Sequence, residues 1–259
     1  MKREQSVNAL LLDTKVNIPF PPAQVTIYQP SIKEIAMIGE DTQMIAVRAI
    51  TKNYETLQDK NNSIQLSNFE IFMKVIHDKS EQSKKIIQAI EDFFVLIFPN
   101  YKVTFTPRSI ILQDEFSQIH MIDESSFNDF TNIIYDAFCL DLLDSEQGTE
   151  YNPQGARAQA LVDKFMAKRK LLAELKRERG HDPSKDSLYG RYIDILAVGE
   201  QKDKNSLKEY SVYQLIEEFK RFQLKTTFDY TLRAKLAGAT KIKDAKDWMG
   251  DIQFNSENE

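Results

Sequence analysis

Residues 206–252 read SLKEYSVYQLIEEFKRFQLKTTFDYTLRAKLAGATKIKDAKDWMGDI, and the local signals that decide the architecture are densest here. Ser211 followed three residues later by Gln214 is a capping box, in which the hydroxyl accepts one orphan backbone N–H and the Gln side chain reaches back for another. A helix is therefore predicted to begin at Val212. Val212, Leu215, Ile216, Phe219 and Phe222 recur at three-and-four spacing, while Glu217, Glu218, Lys220 and Arg221 take the other side. A break near Thr226 and Thr227 is expected to separate this helix from a second, antiparallel one. That helix would carry Phe228, Leu232 and Leu236 and stop at Gly238, the residue best suited to a left-handed C-terminal cap. Asp244 to Met249 forms a short third segment holding the only tryptophan, Trp248. Two such helices closed by a Trp-Met pair make either a small core or a groove for another helix. Val212, Leu215, Phe219, Phe222, Leu232, Leu236 and Trp248 are the candidate partner-binding residues.

Upstream, strand runs alternate with helix runs. ALLL, KVNI and QVTIYQ between Ala9 and Gln29 read as short strands interrupted by Pro19, Pro21 and Pro22. Ser31 and Glu34 form another capping box, opening a helix with Ile32, Ile35 and Ile38 that ends at Gly39. Met44, Val47 and Ile50 suggest a further helix, and 53–63 a polar loop. Phe69, Phe72, Met73 and Ile76 mark one helix, and Ile86 to Ile97, after Ser80, the most apolar helix of the chain. YKVTFT and SIILQ around Thr106-Pro107-Arg108 read as a hairpin, FSQIHMI as a third strand, and Asp123 as the start of a helix with Phe127, Phe130 and Ile134. The predicted fold is α+β: a mixed strand and helix domain over 1–143, an acidic linker over 144–154, a helical C-terminal domain over 155–252 and a disordered tail over 253–259.

The C-terminal domain is expected to open with a long basic helix, in which Arg157, Lys164, Lys168, Arg169, Lys170, Lys176, Arg177 and Arg179 outnumber Asp163, Glu174 and Glu178. Those cations surround the helix, acids are interleaved, and no aromatic stacking platform accompanies them, so a solvated helix ranks ahead of a protein-binding arm and of a nucleic-acid contact. Ser187 to Val198 reads as a further helix capped by Gly199.

Composition narrows the chemistry. The chain of 259 residues is long enough to bury a real core, and its net charge of -5 argues against the whole protein binding nucleic acid. No run of about eighteen apolar residues exists, and the first residues lack a signal peptide's apolar region, which predicts a protein that stays in the cytoplasm that made it and off the membrane. The single cysteine, Cys139, lies between Phe138 and Leu140 and is expected to be buried. His77, His120 and His181 are far apart, in no metal-ligand spacing. No phosphate loop or nucleophile elbow is present, and acid pairs such as Asp141 with Asp144 or Asp247 with Asp251 read as solvated carboxylates. The expectation is a protein that is not an enzyme and uses no cofactor or metal.

Ser-Val-Tyr-Gln-Leu at 211–215, Glu-Phe-Lys-Arg at 218–221, Arg-Ala-Lys-Leu-Ala-Gly-Ala at 233–239 and Asp-Trp-Met at 247–249 resemble the C-terminal end of the tail assembly chaperones of tailed phages and prophages of Gram-positive bacteria. The resemblance is looser across Asn152 to Ala197 and general at the N-terminus. It implies a protein of the host bacterial cytoplasm that binds the long helical tape measure protein and keeps it soluble while tail tube subunits polymerise, with the tail tube protein and a second copy of the chain as further candidate partners. A structural tail or baseplate component retained in the virion is the alternative, and a nucleic-acid-binding protein using the basic helix ranks third.

Overall fold

A computed structural model describes residues 8–52, 66–78, 80–140, 187–238 and 248–249. The expected polar loop over 53–63, acidic linker, basic helix and C-terminal tail lie outside these residues. So do His181, the acid pairs Asp141–Asp144 and Asp247–Asp251, and most of the segment expected after Asp244.

The chain begins with α1 (Ala9–Asp13), β1 (Ile18–Phe20), a 3-10 turn at Pro21–Ala23 and β2 (Val25–Ile27). The apolar run ALLL is thus helix, where a strand was expected. Asn8 supplies the reason, since its side-chain oxygen accepts from Leu10 N at 2.9 Å and closes a first turn, and Leu12 alone of the run turns fully inward. Strand β1 likewise starts only at Ile18, and it pairs antiparallel with β2, Pro19 opposite Thr26.

The capping box at Ser31 and Glu34 is formed and opens α2 (Ile32–Ile38), which Gly39 closes at φ +93°. Helices α3 (Glu40–Thr51), α4 (Asn68–Ile76) and α5 (Glu81–Ile97) follow, the last two behind the caps Ser67 and Ser80. A meander of β3 (Lys102–Thr106), β4 (Ser109–Gln113) and β5 (Ile119–Ile122) leads to α6 (Glu124–Ala137), capped by Asp123. Ile110, Leu112 and Ile122 point from one face of the meander into the core, as the period-two alternation of strands requires. The architecture is α+β, with helices in the C-terminal region: α7 (Leu188–Glu200), α8 (Lys204–Lys208) and α9 (Val212–Leu236).

Aromatic side chains hold the centre. Phe130 lies 5.6 Å from Phe94, 6.1 Å from both Phe20 and Phe98 and 6.3 Å from Phe127 between ring centroids. Helix α5 supplies Ile90, Phe93, Phe94 and Ile97 to this centre, although residue for residue α4 is the more apolar of the two. The buried side chains of α7 and α9 belong to the same hydrophobic cluster. Tyr192 stacks on Phe219 at 4.2 Å, and Tyr189 donates from its hydroxyl to Gln43 Oε1 on α3 at 3.0 Å.

Two expectations for the C-terminal helices need correction. No break occurs at Thr226 and Thr227: α9 is one helix of 25 residues. Threonine costs a helix only about 0.7 kcal/mol or less per residue, too little to end it, so the antiparallel pair does not form. The stop at Gly238 is as expected, with φ +93° and its N–H donating to Lys235 O at 2.9 Å. Gly199, however, is no cap. It sits inside α7, and the helix ends at Gln201 in the left-handed conformation. A Cβ on Gly199 would stand 2.4 Å from Cζ of Phe222, so the glycine is there to let α9 approach.

Candidate functional site: the distal half of the last long helix

Helix α9 has two halves with different environments. Its first turns are core: Val212, Leu215, Ile216 and Phe219 are all buried, and the capping box of Ser211 and Gln214 fixes where they start. Beyond Phe219 no residue of the helix is buried. An apolar line, or ridge, runs along this distal half, with Leu224 and Phe228 partly buried and Leu232 and Leu236 exposed, spaced four apart so that each lies over the turn before it. At 1.5 Å per residue the ridge is about 18 Å long. Phe228 follows Phe219 by about two and a half turns at 3.6 residues per turn, so the ridge faces away from the side that anchors the helix. Leu232 is 47% exposed and Leu236 80%.

Charge surrounds this ridge. Between Lys220 and Leu236 stand Lys220, Arg221, Lys225, Arg233 and Lys235 against the single acid Asp229, in a chain whose net charge is -5. Arg221 is held from two sides: Nε and Nη2 donate to Glu217 Oε1 at 3.1 and 2.7 Å, and Nη1 donates to the carbonyl of Trp248 at 3.0 Å. The ammonium of Lys225 lies 5.7 Å from the centre of the Trp248 ring, within cation–π range. Trp248 is thereby seated against the middle of α9, half-buried, with Met249 exposed beside it.

The seven candidate partner-binding residues are therefore not brought into one groove. Val212, Leu215 and Phe219 face the core, Phe222 is partly buried against Gly199, Leu232 and Leu236 stand at the free end, and Trp248 lies beside Arg221 and Lys225. Leu224 and Phe228, both partly buried, continue the line of Leu232 and Leu236 toward the core end of the helix. A single uninterrupted helix is the signal that would have joined them to Leu232 and Leu236, since only then do the four fall on one line. The eight basic residues from Arg157 to Arg179 lie outside the described residues.

Polar groups elsewhere fasten the base of α9. Lys202 reaches Glu218 on α9 and Glu200 at 3.1 Å; burial pushes its ammonium down, but the two carboxylates outweigh burial and hold it above the usual lysine range. Ser31 and Ser211, the caps of α2 and α9, pair as an isolated antiparallel bridge, and Ile32 N donates to Tyr210 O at 2.9 Å. Glu34 accepts from Ser31 N at 2.7 Å, Ser31 Oγ at 2.6 Å and the Tyr28 hydroxyl at 2.9 Å. Burial raises that carboxyl, yet the hydrogen bonds from Ser31 and Tyr28 outweigh it and hold Glu34 below the usual carboxylate range. Each of these groups is spent on a structural partner.

Nucleophiles and metal ligands are likewise dispersed. Cys139 is buried, as expected, behind the end of α6. His77 caps α4, and His120 contacts Ala23 O through Nδ1 at 3.1 Å with Asp114 3.8 Å away. Among the described residues no three His, Cys, Asp or Glu side chains stand close enough to hold a metal ion, and no helix is long and apolar enough to cross a membrane.

No curated protein and no solved structure matches the chain. A family model described as YomV second domain does match residues 190–253, from the first turn of α7 through all of α9 to beyond Trp248, and this part of the chain is thus similar to a phage-associated family.

Proposed function

We propose that the protein is a non-enzymatic tail assembly chaperone that binds helices of the tape measure protein during phage tail morphogenesis. The observation that carries this reading is the apolar line of α9, set on the opposite side of the helix from its own core contacts and exposed at Leu232 and Leu236. The phage-associated family match covers the whole of that helix. The resemblance of Ser211 to Leu215 and Arg233 to Ala239 to tail assembly chaperones supports the finer assignment.

A ridge of this form suits an amphipathic helical partner, whose apolar stripe covers i and i+4 positions in register. Burying one Leu or Phe contributes about 1.5–3 kcal/mol, and association offsets several such contributions. The exposed Leu232 and Leu236, extended by the partly buried Phe228, then give binding that is specific yet reversible, as a chaperone that must hand its client to the tail tube requires. The surrounding cations favour clients whose helices carry acidic flanks.

Co-expression with the tape measure protein from the same genome tests the reading. Wild type is expected to keep that protein soluble and to co-purify with it, and Leu232→Asp with Leu236→Asp to lose both properties while remaining folded. A tape measure protein that stays insoluble with wild type overturns the proposal. Recovery of the chain from purified particles at fixed copy number would favour a structural tail or baseplate component.

A further inference from the structure

The two capping boxes that meet at the Ser31–Ser211 bridge are not chemically equal. In the first, Ser31 Oγ donates to a carboxylate oxygen of Glu34 at 2.6 Å, so the hydroxyl proton is used. In the second the position is taken by Gln214, whose Oε1 accepts from Ser211 N at 3.0 Å and whose Nε2 donates to Asp13 O. Ser211 Oγ accepts from Gln214 N at 3.3 Å and has no protein acceptor for its own proton among the described residues. The serine is 2% exposed.

Gln29 stands in the complementary position. It is 3% exposed, and its Nε2 donates to Leu11 O at 2.8 Å and Val16 O at 2.7 Å, which fixes which end of the amide is oxygen. Gln29 Oε1 is buried and has no hydrogen-bond partner among the described residues. Both Gln29 and Ser211 line one cavity of about 10 Å³, walled otherwise by Ile18, Ile27, Ala137, Phe138 and Val212 with the Tyr28 and Pro30 segment. One side of this cavity lacks a donor and the other an acceptor, and its volume is just enough for one water molecule and no more.

We propose that this cavity is a binding site for a single ordered water, which donates to Gln29 Oε1 and accepts from Ser211 Oγ. The water completes the second capping box as the Glu34 carboxylate completes the first. It joins the segment after β2 to the N-cap of α9, two parts of the chain with no direct side-chain bond at this point. No ion fits as well: Gln29 Oε1 repels an anion, and the neutral amide and hydroxyl give a cation no charge to match.

A crystal structure of the full chain at a resolution that shows ordered waters, together with magnetic relaxation dispersion of the water oxygen nucleus in solution, tests the site. Density for one water within hydrogen-bond distance of Gln29 Oε1 and Ser211 Oγ is expected. Ala137→Val, which fills the cavity from α6, is expected to lower the dispersion amplitude by about one long-lived water. An empty cavity, or Gln29 Oε1 bonded to a protein donor instead, overturns the proposal, as does a folded Ala137→Val protein with unchanged dispersion. If that variant fails to fold, the wild-type density decides alone.

Discussion

The ring of Phe222 occupies the space that a Cβ on Gly199 would need, with Cζ and Cε2 at 2.4 and 2.5 Å from the place of that atom. The contact sets how closely α9 lies on α7 at the point where α9 leaves the core. Gly199→Ala is expected to destabilise the protein by about 1–3 kcal/mol, the usual cost of overpacking. The same substitution in a Phe222→Leu background should cost less, because the smaller side chain can yield. Urea unfolding of the four proteins gives the coupling, and additive costs would show that the ring moves aside freely.

Acid should loosen the joint at Ser31. Glu34 titrates lower in the folded protein than in the unfolded chain, so its contribution is fully present above the unfolded value of about 4.3 and is lost as pH falls through the lower, folded value. Glu34→Gln keeps the shape of the capping box, as Gln214 does in the other one, but cannot titrate. Stability against pH below neutrality should therefore fall less steeply for Glu34→Gln than for wild type. Parallel curves would mean that other carboxylates carry the acid response.

Phe130→Ala is expected to be among the most damaging single changes. Its ring neighbours Phe20 on β1, Phe94 and Phe98 at the end of α5 and Phe127 on its own helix, and little can collapse into the space. A loss of about 3–5 kcal/mol is expected by denaturant titration, and a loss under about 1 kcal/mol would mean that the centre repacks.

Leu236→Asp should shift the unfolding midpoint little, within about 0.5 kcal/mol, since its side chain is largely in water, and the half-exposed Leu232→Asp only slightly more. Phe219→Asp, by contrast, puts a charge beside Tyr192 in the core and should unfold the protein. Thermal unfolding separates the two classes before any binding assay. A large loss with Leu236→Asp would place that residue in a contact of the chain itself.

Local chemistry was legible in the sequence and approach distances were not. The capping boxes at Ser31 and Ser211, the helix start at Asp123, the β3 to β5 meander and the end at Gly238 were readable because each is set by side chains within a few residues, though the box of Ser67 with Glu70 was not read. Helix α1 was missed because three leucines satisfy strand and helix patterns alike, and the decision rests on one Asn8 hydrogen bond. Gly199 was misread because a glycine signals either a left-handed cap or a close approach, and only the position of Phe222 tells which. The apparent gap at Thr226 and Thr227 had the same origin: the apolar stripe changes faces between Phe222 and Phe228, which by periodicity alone resembles the end of one helix and the start of another.

The contacts of Lys15 with Glu209 and of Gln214 with Asp13 bridge 194 and 201 residues of sequence. On the ribosome the end of α1 must wait for the start of the last long helix before it finds these partners. At about 5–20 residues per second that wait is about 10–40 s, during which Ile32, Ile35 and their neighbours have no C-terminal cover. Folding of such non-local pairings is slow even once the chain is released. The proposed guardian of a client's helices would therefore begin its own life with the same need, and its yield in a cell should depend on the host's general chaperones and on the rate of translation.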